Sequence, residues 1–437
     1  MREQRAAEPR RPYRVRKGYR YLCTVPRLYL LPLKLHDQIP VPQNVKANRC
    51  AKPVKSRFDG RDLRNQIIRS LRVQGFRLRK GTILPPKELS KEKIRELHQT
   101  SVKHRIERAR EGLFRIEKDL LRHIASGHEV VPSRIYPRLV EVLPESEEEL
   151  LFRYASLHWS IPVSSGYGRR LRFLVVDNHN GKLIGLIGLG DPVYSLGPRD
   201  EWIGWTPADR KKRLGHVMDA FVLGAVPPYS FLLCGKLVAM LAASDTVRHA
   251  FKRKYGGARS VIRQKVHDGR LALITTASAL GRSSVYNRLR LGDRLLYQSV
   301  GFTKGSGEFH FSNGLYGAIT EFAEEHCEPT AKQERWGTGF RNRREVIKKC
   351  LPALGLSSDW IYHGIEREVF VIPLACNSRE FLRGEHSRLE WYHQSEPQMF
   401  EYFRDRWMLP RVSWDERFRS WSRDEWVIWP KKENGLG

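Results

Sequence analysis

The sequence predicts an α+β protein with a basic helical N-terminal region, a mixed-sheet α/β core and a mainly helical C-terminal extension. Three observations carry that prediction. From Leu63 to Ile124 apolar residues recur at three- to four-residue steps among many Arg and Lys, the period of an amphipathic helix. From Leu171 to Phe311 short apolar runs alternate with turn residues and helical stretches, the texture of a sheet covered by helices. Beyond residue 335 helical spacing returns in a segment dense in Trp and Arg. The 437 residues are enough for two or three folded units. Shifts in composition place boundaries at 1–60, 61–143, 144–330 and 331–437.

Residues 1–60 ("RRPYRVRKGYRYL", "IPVPQNVKANRCAKP") show no apolar period and read as an extended or disordered arm. Leu63, Ile67 and Leu71 share one helical face, with Arg64, Arg69 and Arg72 facing elsewhere. A second helix spans Ser90 to Leu97 and continues through His104 to Ile124 on Ile106, Leu113, Ile116 and Leu120. Its basic face suits a phosphate backbone or an ordinary solvated surface equally. "PESEEELLFRY" (Pro144–Tyr154) opens a further helix with carboxylates in its first turn, where the helix dipole favours them.

In the core, Leu171–Asp177 and Lys182–Leu189 read as strands joined by an Asn178–Gly181 turn, a hairpin signature. Helices are expected near Ala208–Gly224, Gly235–Lys254, Ser283–Arg290 and Leu295–Val300. Strands are expected at Tyr229–Cys234 and Leu271–Thr276, with a last hairpin at Phe302–Phe311. In the extension a helix falls near Arg343–Leu354, and "HGIEREVFVIPLACNSREFLRG" reads as strand, loop and helix.

Composition narrows the function classes. No apolar run approaches the ~20 residues of a membrane span, and the N-terminus has no apolar signal segment, so a cytoplasmic protein without membrane contact is expected. Cys23, Cys50, Cys234, Cys327, Cys350 and Cys376 form no C-x-x-C pair and read as reduced thiols rather than disulfides or a zinc site. The formal net charge is +30, and residues 1–130 hold 33 Lys/Arg against 13 Asp/Glu, a net of +20. So concentrated a charge points to nucleic acid, because each cation meeting a phosphate releases condensed counterions.

"TTASALGRSSVYNRL" (Thr275–Leu289) reads as a strand end, a loop and a helix start. Ser283 or Ser284 can cap that helix. The freed amides, with Arg282, Asn287 and Arg288, can also hold a phosphate. A nucleophilic Ser lacks a nearby base here. Arg169, Arg170 and Lys236 are further candidate phosphate contacts. Asp191, Asp200 and Asp219 are the catalytic candidates and could together bind a magnesium ion, although such acids also make turns or pair with arginines, and Asp200 beside Arg199 reads as a structural ion pair. No other cofactor or metal is expected. His158, His310 and His363 lack ligand spacing and read as fold residues. Trp391, Trp407, Trp414, Trp421 and Trp426, beside Arg404, Arg406, Arg411 and Arg419, can stack bases or pack the last helices.

The clusters "LFRYASLHWSIPVSSGYGRRLRFLVVD", "LGDP", "RDEWIGW", "MDAFVLGAVPPYSFLLCGKLVAML", "TTASALGRSSVYNRL", "HGIEREVFVIPLACN" and "DRWMLPR" resemble, in this order, the DruA family of Druantia anti-phage defence systems. The resemblance runs from about Leu63 to Arg411. It implies a role in bacterial defence or in mobile elements that carry such genes, with nucleic acid (DNA rather than RNA) and a helicase or nuclease subunit as partners. A second resemblance concerns the fold: hairpin, strand, long helix, strand and "LLYQSVGF", with Tyr297 ahead of Gly301-Phe302, are similar to the GNAT acyltransferase superfamily. That superfamily's coenzyme loop needs Arg or Gln, then Gly, then Gly or Ala. Leu232–Leu237 keeps one glycine and sets Leu232 and Leu237 where polar and small residues belong, so acetyl-coenzyme A is not expected there. The alternative to a binding subunit is a metal-dependent phosphodiester-processing enzyme or a transferase acting on nucleic acid.

Overall fold

The computed structural model describes residues 60–79, 81–163, 168–259, 266–312, 314–329 and 340–430, all within the unit Ser56–Gly437. Apart from Gly60, the arm expected at 1–60 lies outside the described residues.

Seven strands form the central sheet: β1 (Pro137–Glu141), β2 (Arg170–Asp177), β3 (Leu183–Gly190), β4 (Val217–Ala225), β5 (Leu273–Ala277), β6 (Gln298–Phe302) and β7 (Glu368–Pro373). Their order is β6-β7-β5-β4-β3-β2-β1, antiparallel throughout except for the parallel pair β4–β5. That pair needs a crossover, supplied by α5 (Cys234–Leu241) and α6 (Asp245–Tyr255). Its ladder joins Val217–Asp219 to Leu273–Thr275. The β2–β3 hairpin forms as expected, with buried Asp177 receiving the Tyr136 amide at 3.0 Å and the Tyr229 hydroxyl at 2.9 Å.

Both faces of the sheet are packed. On one, Met218, Ile274, Phe370 and Ile372 meet Leu237 and Leu241 of α5 and Phe251 of α6. On the other, Val217, Leu273 and Val371 meet Ile203 of α4 (Gly197–Ile203) and Phe381 of α9 (Ser378–Arg383). Farther along, Phe152 of α3 (Glu147–Ala155) packs with Leu174, Leu186 and Val222, joined by Trp421, Trp426 and Trp429 from the chain end. Gly127 permits that docking, because a Cβ there would strike the backbone of Phe418 and Arg419. The Gly127 amide donates to Trp421 O at 2.8 Å.

A second core lies in α1 (Gly60–Val73), the start of α2 (Lys91–Leu113), α7 (Leu315–His326) and α8 (Phe340–Ala353). Leu63, Ile67 and Leu71 of α1 are fully buried there, as their spacing predicts. Ser90 caps α2 by accepting from the Lys93 amide at 3.1 Å. Its Ile94 and Leu97 enter this core, while Leu113 enters the one around Phe152.

Several expected elements differ. Ala208–Gly224 is not a helix: Pro207–Arg213 is, and β4 follows. A short apolar run such as Val217–Val222 carries no period that separates helix from strand. Tyr229–Cys234 is a 3-10 turn at Tyr229–Leu232 that buries Tyr229 and Leu232 without pairing. Gly235–Lys254 breaks at Ser244, whose backbone is extended, and the Gln394 side chain takes the Ala243 carbonyl at 3.1 Å. Leu295–Val300 is part of no helix, since Ser299 pairs with Phe370 in β6–β7. Phe302–Phe311 forms no hairpin; a loop leads to a 3-10 turn at Phe309–Phe311. Pro137–Glu141, for which no strand was expected, forms one edge of the sheet.

Candidate functional site

The stretch 275–289 links β5 to β6. No helix forms at Ser283–Arg290; the chain makes successive turns. Ser283 Oγ accepts from the amides of Val285 (3.2 Å) and Tyr286 (3.1 Å), so the cap is real but closes a turn. Arg288 takes φ +60°, a left-handed conformation that ends any helix. Tyr286 is drawn inward to stack on Tyr297 at 4.9 Å, whose hydroxyl donates to Ala239 O at 2.7 Å. The Ser283 amide donates to Glu368 Oε2 at 3.4 Å, and Ser299 Oγ donates to Glu368 Oε1 at 2.8 Å. A carboxylate thus stands where an amide cradle for phosphate was expected. Arg282, Ser284, Asn287 and Arg288 are exposed, and Arg282 and Arg288 have no carboxylate partner among the described residues.

Arg169 is committed elsewhere. Its Nε donates to Asp191 Oδ1 at 2.6 Å, Nη2 to Val217 O at 3.0 Å and Nη1 to Gly215 O, and its guanidinium lies over the Phe251 and Tyr255 rings. It ties the start of β2 to the end of β3 and the start of β4, which leaves little for a phosphate. The Arg170 backbone is clasped by the Tyr255 hydroxyl, at 2.7 Å from N and 2.6 Å from O. Lys236 sits at the start of α5, with Nζ 3.3 Å from Val285 O and 5.5 Å from the centre of the Trp407 ring. Burial holds its pKa below the ordinary value. Leu232 and Leu237 are both fully buried.

The three aspartates occupy separate environments. Asp191 pairs with Arg169. Asp200 is buried; Oδ1 receives Arg199 Nε at 2.8 Å and Nη2 at 2.6 Å, and Oδ2 receives Arg210 Nη1 at 2.8 Å. Asp219, half-buried in β4, accepts from Thr275 Oγ1 at 2.8 Å. Burial pushes its pKa up, against the Thr275 hydrogen bond and the nearby Arg199 charge.

Among the described residues, the one group of three or more His, Cys, Asp or Glu whose ligand atoms converge is His216, His267 and Asp268. There His267 Nε2 donates to Gly215 O (2.7 Å) while Nδ1 accepts from the Gly269 amide (2.9 Å). His216 Nδ1 faces Arg270 O at 3.0 Å, and Asp268 pairs with Arg270. These contacts staple a loop and leave His267 no lone pair for a metal.

His158 and His310 behave as fold residues. His158 stacks on Trp426 at 3.9 Å, and burial lowers its pKa to about 4. His310 Nε2 meets Trp360 O at 2.8 Å, and burial lowers it likewise to about 4. Trp421 and Trp426 are buried packing residues, and of the five tryptophans that could either stack bases or pack the last helices only Trp414 is exposed, at 67%, beneath Arg411. The four described cysteines are unpaired, and among the described residues no helix is long and apolar enough to cross a membrane.

What does present itself outward is charge. Arg64, Arg69 and Arg72 of α1 and Lys103 and Arg108 of α2 are exposed, opposite their buried apolar positions. Among the described residues, none of these five has a carboxylate within 4.0 Å.

Comparison with known proteins matches this architecture to one family. The family model described as "Druantia protein DruA" covers residues 88–384, from just before α2 to the end of α9. A curated relative, the Druantia protein DruA of Escherichia coli (strain UMEA 4076-1), is 40% identical over 362 residues, 82% of this chain and 89% of the relative. No solved structure matches the chain. With the family model spanning most of the sheet and a relative this similar over most of both chains, the protein belongs to the DruA family.

Proposed function

We propose that this chain is the nucleic-acid-binding component of a Druantia-type anti-phage defence system, with DNA as its ligand and a helicase or nuclease subunit as its working partner. The observation that carries the reading is the +20 on residues 1–130, part of which is the exposed Arg64, Arg69, Arg72, Lys103 and Arg108 of α1 and α2, without carboxylate partners among the described residues. Cations without acidic partners keep their full charge for phosphates, and their encounter with DNA is driven by counterion release. Such contacts position a protein on a duplex without reading sequence. Changing Arg64, Arg69 and Arg72 together to Glu should weaken binding of a 20-base-pair duplex at least tenfold while leaving the unfolding midpoint unchanged. Unaltered affinity in a folded triple variant overturns the reading.

A second reading, a transferase or phosphodiester-processing enzyme acting on nucleic acid, is favoured by Asp219. Its half-buried carboxyl carries a raised pKa at the last parallel pair of β4 and β5, as a proton-transfer group would. The succession hairpin, β4, α5, β5 supports the fold-level likeness to acyltransferases. If Asp219→Asn retains duplex binding and stability yet abolishes protection against phage, the enzyme reading gains over the binding subunit.

A further inference from the structure

The loop Thr303–Ser312 between β6 and α7 gathers polar groups that the account so far leaves unused. Glu308 is 8% exposed, and its Oε2 is buried with no hydrogen-bond partner. Facing it from α8 are Arg343 and Arg344. Arg343 reaches Ser312 Oγ at 3.3 Å and lies over the Tyr316 ring at 3.9 Å, yet its Nε is buried without a partner. Arg344 reaches Ser306 Oγ at 3.4 Å and lies near the Tyr362 ring. Among the described residues neither guanidinium has a carboxylate within 4.0 Å, whereas the half-buried or buried Arg169, Arg172, Arg199 and Arg411 are each paired with one.

Arg343 and Arg344 are half-buried, and a guanidinium partly shielded from water without a carboxylate gains from an anion that completes it. Among the described residues the polar partners of Arg343 and Arg344 are hydroxyls, and Arg forks match phosphate oxygens well. We propose that Arg343 and Arg344, with the hydroxyls of Ser306 and Ser312, form a phosphate-binding pocket in which the Glu308 carboxyl, when protonated, donates to a phosphate oxygen. The phosphate is either a phosphodiester of bound nucleic acid, which rests on the function proposed above, or that of a free nucleotide, which does not.

The surroundings make Glu308 the group that titrates. Burial raises its pKa to about 7, against the lowering influence of Arg343 and Arg344. Among the described residues the titratable groups around Phe309 are histidines: His98 from α2, His310 from the loop itself and His363 from the segment leading to β7. Burial lowers them to about 3, 4 and 2, so they stay neutral from pH 6 to 8. Arg367, beside His98 and His363, stays charged. Ionised Glu308 repels phosphate and cannot donate to it, so the pocket favours phosphate at pH 6 over pH 8 by about tenfold if only the protonated form binds.

The test uses the full chain with two probes, a 20-base-pair duplex and adenosine triphosphate, titrated calorimetrically at pH 6.0 and 8.0. For the probe that occupies the pocket, the wild type should bind about tenfold more tightly at pH 6.0 than at pH 8.0. Glu308→Gln should hold its pH 6.0 affinity at pH 8.0, and Arg343→Gln with Arg344→Gln should lose at least tenfold at both. Among the described residues the Glu308 carboxyl makes no hydrogen bond, so Glu308→Gln keeps the test decisive even if the arginine variant does not fold. The same pH dependence in wild type and Glu308→Gln for both probes, or an arginine variant with full affinity, overturns the proposal. The predicted pattern with the triphosphate and not with the duplex assigns the pocket to a free nucleotide and leaves the duplex contacts of α1 and α2 untouched, whereas a duplex that does not bind at all overturns the nucleic-acid function separately.

Discussion

Replacing Asp200 by Asn should unfold the protein's balance of charge rather than its chemistry. Arg199 is fully buried, and its guanidinium takes two hydrogen bonds to Asp200 Oδ1, at 2.8 and 2.6 Å, plus the carbonyls of Val193 (2.9 Å) and Tyr194 (3.2 Å). Asp200 also receives Arg210 at 2.8 Å and the Leu196 amide at 3.2 Å. Asn keeps the shape and some of the hydrogen bonds but removes the charge that neutralises a cation with no access to water. Breaking one partner of a buried pair costs about 3–5 kcal/mol. The nearby Asp219 compensates in part, which places the expectation near the lower end, about 3 kcal/mol. Against a typical total of about 5–15 kcal/mol, urea unfolding followed by tryptophan fluorescence will show the loss, with Trp205 under Arg199 as a local reporter. Duplex affinity of the folded fraction should be unchanged. A variant within about 0.5 kcal/mol of wild type that nonetheless fails to protect against phage would refute the structural role and return Asp200 to the catalytic candidates.

Arg169→Ala should likewise cost about 2–4 kcal/mol, since it strands Asp191 and two carbonyls, and should leave duplex binding of folded protein intact; a tenfold affinity loss without destabilisation would contradict this. Trp426→Ala removes a buried ring stacked on His158 and should cost about 3–5 kcal/mol in chemical denaturation; a change below 1 kcal/mol would mean that the chain end is not docked. The raised pKa of Glu308 favours its neutral form in the fold, so the stability it contributes is full below pH 4.5 and lost as pH rises to about 7, by about 3 kcal/mol. Glu308→Gln should therefore match wild type at pH 4 and exceed it at pH 8, and identical stability profiles across that range would count against the shift.

The elements that the sequence made legible are those specified locally. Leu63, Ile67 and Leu71 sit on one helix face and are buried together. Ser146 caps α3 ahead of three glutamates, and Asn178–Gly181 turns the β2–β3 hairpin. What was not legible depends on partners far along the chain. Gln298–Phe302 is a strand because β7, some 70 residues later, pairs with it. Val217–Ala225 is a strand because β3 and β5 flank it, while its apolar composition alone suits a helix. At the candidate site, Arg169 looked free in the sequence because nothing shows that Asp191 folds back upon it. The Arg282–Arg288 stretch lost its helix to Ser283, Tyr286 and Glu368, each satisfied by a contact across the turn. Glu308, Arg343 and Arg344 share no motif and meet only because the loop after β6 packs on α8.

The central claim, that concentrated positive charge makes this DruA-family protein a nucleic-acid binder, is tested most directly by the salt dependence of duplex affinity. Fluorescence anisotropy with a labelled 20-base-pair duplex between about 50 and 300 mM salt should give a linear fall of log affinity against log salt. Several phosphate contacts predict a slope of roughly −4 to −8, nearly independent of base sequence. Equal affinity at about 50 and 300 mM, or no binding at the lower concentration, would contradict the account.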